Sequence, residues 1–200
     1  METTAQVTVL ADKKFVVELV KKTKKNEPKI FPALLQIDRD AFDSSKDSVT
    51  ILKTFWRSTV NRMIVARKPD TGAILGYAAF LPTLENDTGS YLMRIAVRTK
   101  CQRHGIGRAL VQWLLDKYPA QLELDVSVDN ERAVRFYQRV GLSVKKTYFT
   151  QDSGIEFVTF STDKPGCQSP IKTIEESKES QEEIVSEDST TGSAIEEISQ

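Results

Sequence analysis

One segment, residues 95–109, restricts the fold of this chain more than any other part of the sequence. The apolar run Ile95-Ala96-Val97 leads into a polar, basic turn, and Gly105 and Gly107 stand where an amphipathic stretch begins. The first N–H groups of a helix have no partner inside the helix and lie at the positive end of its dipole. A strand, a basic turn and glycines at a helix start therefore predict an anion site between a strand and a helix.

Local sequence alone leaves two interpretations of this segment open. It lacks the glycine spacing and the Lys-Ser/Thr pair of a nucleoside triphosphate loop, and it lacks the third glycine of a dinucleotide-binding turn. Two glycines beside Arg103 and Arg108 also suit an ordinary helix start. Other motifs must decide between a phosphate loop of a different kind and a plain helix N-terminus.

Apolar periodicity predicts an alternation of strands and helices. Alternating apolar residues predict strands, and apolar residues three and four apart predict helices. Pro69-Asp70-Thr71-Gly72 is typical of a hairpin turn, Pro119 and Gly141 end helices, and either Asp129 or Asn130 caps the last helix. The predicted strands are residues 15–20, 63–67, 74–81, 90–97, 122–128, 142–148 and 155–160, and the predicted helices are 32–42, 49–59, 105–118 and a last one ending at 140. The order predicts an α/β domain with a mixed sheet, antiparallel in its front half and strand–helix–strand behind.

Composition changes at about residue 161. From there to residue 200 the chain has three Lys against ten Asp and Glu, a net charge of −7, so that residues 1–160 carry +7. A segment this polar cannot bury enough surface to offset its ordering entropy, and we predict an acidic disordered tail over residues 163–200. Residues 1–14 are predicted to be an N-terminal extension and residues 15–162 a single domain.

Composition also excludes several classes of protein. The mildly basic body suits a polyanionic ligand but falls short of a nucleic-acid binder. Two cysteines, Cys101 and Cys167, and a single histidine, His104, do not make a disulfide framework or a metal cluster. The start of the chain does not resemble a signal peptide, and no apolar run reaches membrane-spanning length. We expect no metal, no membrane and no nucleic-acid partner, and a location in the cytoplasm or nucleus.

Two motifs resemble those of one family, the GNAT N-acetyltransferases. Its signature, Gln/Arg-x-x-Gly-x-Gly/Ala after a strand that ends in Ala-Val, is matched by Gln102, Gly105 and Gly107. Residues 130–142 look like the family's Asn-x-x-Ala-x-x-x-Tyr-x-x-x-Gly-Phe pattern, with Leu142 in place of Phe. The resemblance extends over residues 15–160 and implies a GNAT fold for the domain at 15–162.

The resemblance implies acetyl-CoA as cosubstrate. In this family it lies in a V-shaped opening between two splayed parallel strands, here residues 90–97 and 122–128, with its pantetheine arm on the backbone of Ile95 and Val97. The pyrophosphate would lie over residues 102–108. The implied cofactor-binding residues are Ile95, Ala96, Val97, Gln102, Arg103, His104, Gly105, Ile106, Gly107, Arg108 and Asn130.

The resemblance also implies an acid and a base. Tyr137 matches the family tyrosine near the coenzyme sulfur and is the predicted general acid, although its place in an apolar helical stripe also suits a core residue. Asp125, on the polar side of a strand, is the preferred base. Tyr91 is the other candidate, since the family often places a base at that point of the strand, and Glu123 is a reserve.

The predicted function is transfer of an acetyl group to a primary amine by direct attack in a ternary complex. A protein N-terminus comes ahead of lysine as the acceptor. A small-molecule amine and a non-catalytic acyl-CoA-binding domain are the alternatives. Residues 33–46 and 148–156, where the family varies its acceptor contacts, do not define a substrate, and the chain is expected to be a monomer or weak dimer.

Overall fold

The computed structural model describes residues 15–42, 47–83, 88–151 and 153–162. The predicted extension at 1–14 and the predicted tail at 163–200 lie outside the described residues. Seven strands and four helices alternate along the described part of the chain, with a short 3₁₀ turn at Thr99–Cys101. The strands are β1 (Val16–Leu19), β2 (Arg62–Arg67), β3 (Ile74–Pro82), β4 (Gly89–Val97), β5 (Gln121–Ser127), β6 (Ser143–Phe149) and β7 (Glu156–Ser161), and the helices are α1 (Glu27–Ala41), α2 (Asp47–Arg57), α3 (Ile106–Lys117) and α4 (Glu131–Arg139).

The strands form one mixed sheet, in the order β1-β2-β3-β4-β5-β7-β6. Every neighbouring pair is antiparallel except β4 and β5, which are parallel and remain paired only from Gly89 to Tyr91. Against β3, Leu92 and Arg94 pair with adjacent residues, so Met93 is an extra residue that forms a bulge. A bulge bends its strand, and here it coincides with the point where β4 leaves β5. The predicted mixed sheet with splayed parallel strands is confirmed.

Helices cover both faces of the sheet, and the central strands are therefore buried on both sides. Ile64 and Phe80 pack in one cluster with α3, whereas Met63 and Tyr77 pack in the other with α1 and α2. Burial on both faces explains why β2 and β3 are almost continuously apolar. None of the helices in the described residues is long and apolar enough to span a membrane.

The predicted start of the first helix was wrong. Helix α1 begins at Glu27 and contains Pro32 in its interior, where the sequence pattern predicts that proline as the first residue. Pro28 lies in the first turn instead, and Ile30, Leu34 and Ile37 are buried along one face. Burial of this stripe outweighs the backbone hydrogen bond that an internal proline removes.

The other helix and strand ends lie within two residues of their predicted positions. The alternative between Asp129 and Asn130 is resolved in favour of the second, because Asn130 Oδ1 accepts a hydrogen bond of 3.1 Å from the N–H of Ala133. Gly141 follows the helix with φ of +97°, a conformation that only glycine adopts without strain.

Candidate active site

A cleft of about 670 Å³ opens where β4 and β5 separate. Its walls comprise the outer half of β4, Asp125 and Val126 of β5, the turn before α3 and the inner face of α4. The N–H of Arg98 donates to the carbonyl of Leu75 in β3 at 2.8 Å. Because backbone groups alternate in direction along an antiparallel pair, Ile95 and Val97 direct theirs away from β3, toward the cleft. Beyond Tyr91 no described strand pairs with this edge of β4. Apart from the Val97 carbonyl, which accepts from Gln102, its backbone groups can hydrogen-bond an extended ligand with amide groups.

The turn between β4 and α3 has the geometry of an anion site. Arg103 and Gly105 have left-handed backbones, with φ of +65° and +78°, and Gly105 is the residue that precedes the helix. Gln102 donates from Nε2 to the carbonyl of Val97 at 3.1 Å and accepts a hydrogen bond from Arg132. The side chain of Gln102 thus joins β4, the turn and α4, and holds the free N–H groups of α3 at one end of the cleft.

The two glycines of the predicted motif have different roles. Gly105 adopts its positive φ in open space, because a Cβ added there would have no neighbouring atom within 4 Å. At Gly107 a Cβ would lie 3.3 Å from Cζ of Phe136 in α4. Gly107 therefore permits close packing of α3 against α4, and Phe136 is part of the cleft wall.

Hydroxyl groups from other strands of the sheet hold Asp125 in place. Tyr91 of β4 donates to Asp125 Oδ2 at 2.7 Å, and Thr159 of β7 donates to Oδ1. Burial, followed by the hydrogen bond to Asp125 and its charge, raises the pKa of Tyr91 well above its usual value. Partial burial and a hydrogen bond to Asp125 also raise the pKa of Tyr148. Asp125 lines the cleft, whereas Tyr91 is not among the described residues that line it.

Tyr137 belongs both to the core and to the cleft wall. Its side chain is only 6% exposed and packs against Phe136 and Phe160, with ring centroids 5.1 and 5.7 Å apart. Burial raises the pKa of Tyr137 above that of an ordinary tyrosine, so the phenol keeps its proton at neutral pH. The structure is compatible with both interpretations of Tyr137, as a core residue and as the general acid.

A buried ion pair lies beside the cleft. Arg94 donates from Nε and Nη2 to the two carboxylate oxygens of Asp38, at 2.7 and 2.9 Å, and Tyr77 also donates to this carboxylate. Asp38 is completely buried. The guanidinium of Arg94 lies 3.8 Å from the ring centroid of Phe42. This network ties the end of α1 to β3 and β4, beside the cleft.

Comparison with known proteins identifies this arrangement. A family model described as the Acetyltransferase (GNAT) family matches residues 31–142, which contain the cleft-lining residues from Ala41 to Val140. The chain belongs to the GNAT family. The prediction made from the two motifs is confirmed, and the chain is an N-acetyltransferase.

Relatives by sequence and by structure include the following three N-acetyltransferases. An uncharacterized N-acetyltransferase of Methanocaldococcus jannaschii is 29% identical over 74% of this chain and 95% of its own length. The ribosomal protein bS18-alanine N-acetyltransferase of Escherichia coli is 29% identical over 52% of this chain and 73% of its own length. An aminoglycoside 6′-N-acetyltransferase solved with coenzyme A superposes with a TM-score of 0.55 at 13% identity, over 70% of this chain and 93% of that one.

Most of the sequence-predicted residues meet in this GNAT cleft. The lining includes Ile95, Ala96, Val97, Gln102, Arg103, Gly105, Gly107, Arg108, Asn130, Asp125 and Tyr137. Ile106 instead packs in the core, and His104 lines a second cleft beside the turn. Glu123, the reserve base, accepts hydrogen bonds from Lys145 and Gln121.

Sequence reasoning missed the partners of these residues. Thr159 and Arg94 were not singled out, and neither was Asp38, although a charged residue among apolar positions of a predicted amphipathic helix is a usable signal. Two further arginines of α4, Arg132 and Arg139, line the cleft and were also missed.

Proposed function

We propose that this acetyltransferase binds acetyl-CoA in the cleft between β4 and β5 and transfers its acetyl group to the amino group of a protein or peptide, with N-terminal amines ahead of lysine. Members of the family use acetyl-CoA. The observation that carries the proposal is that Asp125 and Tyr137 line the same cleft that ends at the anion-binding turn. The edge of β4 suits the pantetheine arm of acetyl-CoA, and the anion-binding turn suits its pyrophosphate. Asp125 and Tyr137 suit the two proton transfers of the reaction.

The residues of the chain would divide the reaction between them. Acetyl-CoA supplies an activated thioester. Asp125 takes the proton that an ammonium group must lose before its nitrogen attacks, and a backbone N–H of β4 stabilises the charge on the thioester oxygen. The new C–N bond replaces the C–S bond, and Tyr137 gives a proton to the departing sulfur. The second proton, which the nitrogen loses as the amide forms, restores the phenol of Tyr137. Tyr91, whose own pKa is raised, orients Asp125 and does not take the proton.

The surroundings of Asp125 favour a single amine over a polyamine. In the described part of the chain Asp125 is the one carboxylate that lines the cleft. Phe42 and Met93 form an apolar part of its wall, and the charge of Arg94 is already matched by Asp38. Two further acids of the sequence, Glu85 and Asp87, lie outside the described residues. The relative that acts on a ribosomal-protein alanine supports a protein N-terminus as the acceptor.

Turnover on a panel of acceptors tests the proposal. We expect thiol release from acetyl-CoA with peptides that have free N-termini, and less with N-terminally blocked lysine peptides or with polyamines. A panel in which only polyamines react would contradict the protein acceptor. Binding of acetyl-CoA without turnover on any amine would contradict the transferase mechanism.

Substitution of Tyr137 by Phe tests the acid. We expect kcat to fall roughly 10²-fold, the lower end of what a positioned proton donor contributes, because the leaving sulfur loses its acid while the apolar packing of the ring is kept. Calorimetric titration with acetyl-CoA should give an unchanged Kd. Tyr118 is another buried tyrosine of the same core cluster. Tyr118→Phe is therefore the control for the loss of a hydroxyl group that takes no part in the reaction. Equal kcat values for the wild type and Tyr137→Phe would remove Tyr137 from the mechanism.

Substitution of Gly107 by Ala tests the packing of α3 against α4. The added methyl must displace the Phe136 ring, which lies in the cleft wall. We expect a Kd for acetyl-CoA about fivefold higher, equivalent to about 1 kcal/mol, and a still weaker affinity for Gly107→Val. Wild-type affinity in both variants would show that the ring moves without affecting the site.

A further inference from the structure

A second cleft, of about 770 Å³, lies beside the turn between β4 and α3. Four of its lining residues also line the first cleft, so the two clefts adjoin each other at the turn. The residues shared by both are Gln102, Arg103, Arg132 and Arg139. The remaining wall is made by the 3₁₀ turn and by His104.

The second cleft concentrates positive charge. Lys100, Arg103, Arg132 and Arg139 all line it, and its described lining contains no carboxylate. Among the described residues, none of these four cations forms a salt bridge, whereas Arg135 in the same helix pairs with Glu131 at 2.7 Å. Like charges around one concave surface repel each other, and a bound anion relieves that repulsion.

Two of the arginines are fixed in place by the turn and by α4. Arg132 and Arg139 are seven residues apart, which places them on the same face of the helix. Arg132 donates to Oε1 of Gln102, and Arg139 donates from Nε to the carbonyl of Arg135 at 3.0 Å. Arg108 in turn donates to the carbonyl of Arg139 at 3.2 Å. The guanidinium groups are therefore held at the edge of the cleft by groups that leave their charge unneutralised.

We propose that this second cleft binds the 3′-phosphate of coenzyme A, so that the enzyme distinguishes acetyl-CoA from its 3′-dephospho form. The inference rests on the proposed function, because a pyrophosphate bound at the turn would bring the nucleotide end of the ligand next to the second cleft. A phosphate monoester carries nearly two negative charges at neutral pH, and guanidinium groups match its oxygens with two hydrogen bonds at a time.

Calorimetric titration with CoA and with 3′-dephospho-CoA tests the inference. We expect the wild type to bind CoA at least about tenfold more tightly, since charge-assisted hydrogen bonds to the phosphate are lost in the second ligand. In the double variant Arg132→Ala/Arg139→Ala, the ratio of the two Kd values should fall to within about twofold of unity, by the same reasoning. Arg135→Ala, on the same helix but paired with Glu131, should keep the wild-type ratio.

The ratio separates a phosphate contact from a general disturbance of the turn, which would weaken both ligands equally and leave the ratio unchanged. A wild type that binds both ligands equally would overturn the inference while leaving the proposed function intact. A double variant that keeps the wild-type ratio would also overturn it. Failure of the wild type to bind either ligand would overturn the proposed function and the inference together.

Discussion

We expect Asp125→Asn to lower kcat/KM for the amine acceptor by roughly 10²- to 10⁴-fold, the range that proton transfer by a positioned side chain contributes to a rate. Asn has the shape of Asp and can still accept a hydrogen bond from Tyr91, but it cannot take a proton from an ammonium group. Steady-state kinetics with a peptide acceptor measure the loss. Because the substitution is isosteric, the Kd for acetyl-CoA should stay at the wild-type value. Unchanged kcat/KM would remove Asp125 from the mechanism.

The matched substitution Tyr91→Phe distinguishes the two candidate bases. If Tyr91 only orients Asp125, its loss should cost about tenfold or less, as expected for one hydrogen bond. Because burial and the Asp125 carboxylate raise the pKa of Tyr91, a Tyr91 base would make the rate increase far into the alkaline range. We therefore expect the pH profile of kcat/KM to have the same shape in the wild type and in Tyr91→Phe. A larger loss in Tyr91→Phe than in Asp125→Asn would mean that Tyr91 is the base and that Asp125 only orients it.

The second large effect is on stability, at Asp38. We expect Asp38→Asn to lower the free energy of unfolding by about 3–5 kcal/mol, because it leaves a mostly buried arginine without its counter-ion. The side chain of Arg94 is 15% exposed and that of Asp38 is 0% exposed, so water cannot replace the lost carboxylate. Urea denaturation of the wild type and the variant measures the difference. Glu131→Gln, in the exposed pair with Arg135, should leave the stability almost unchanged.

The same carboxylate gives stability a dependence on pH. Burial opposes ionisation of Asp38, but hydrogen bonds from Arg94, Ser48 and Tyr77 outweigh it and keep the pKa of Asp38 below its usual value. A carboxyl group with a lowered folded-state pKa stabilises the fold above its unfolded-state pKa of about 4, and this stability is lost as the pH falls through the folded-state value. The difference in stability between the wild type and Asp38→Asn should therefore shrink below about pH 4. A difference that is the same at pH 3 and pH 7 would contradict the role of the ionised pair.

The order of strands and helices was predictable because it depends on local patterns. Alternating apolar residues marked β5, the glycine-containing turn marked the start of α3, and Asn130 was one of two capping candidates. The predicted start at Pro32 was wrong because burial along α1 outweighed a local signal. Gly107 was predicted from its motif, but the ring that requires it belongs to another helix.

The contacts within the site depend on sheet register, which local patterns do not specify. Arg94 and Asp38 are 56 residues apart in sequence, and Thr159 and Asp125 are 34 apart. Antiparallel pairing of β5 with β7 places Thr159 directly opposite Asp125. The cleft opens at the bulge at Met93, for which the sequence has no glycine or proline as a signal.

The acceptor and the chemistry are tested most directly by one competition within a single molecule. A peptide with a free N-terminus and an internal lysine is incubated with acetyl-CoA and the enzyme, and tandem mass spectrometry locates the acetyl group. We expect acetylation on the N-terminal nitrogen with the wild type, and almost none in the same time with Asp125→Asn. Acetylation of the lysine alone, or equal acetylation by both enzymes, would contradict this account.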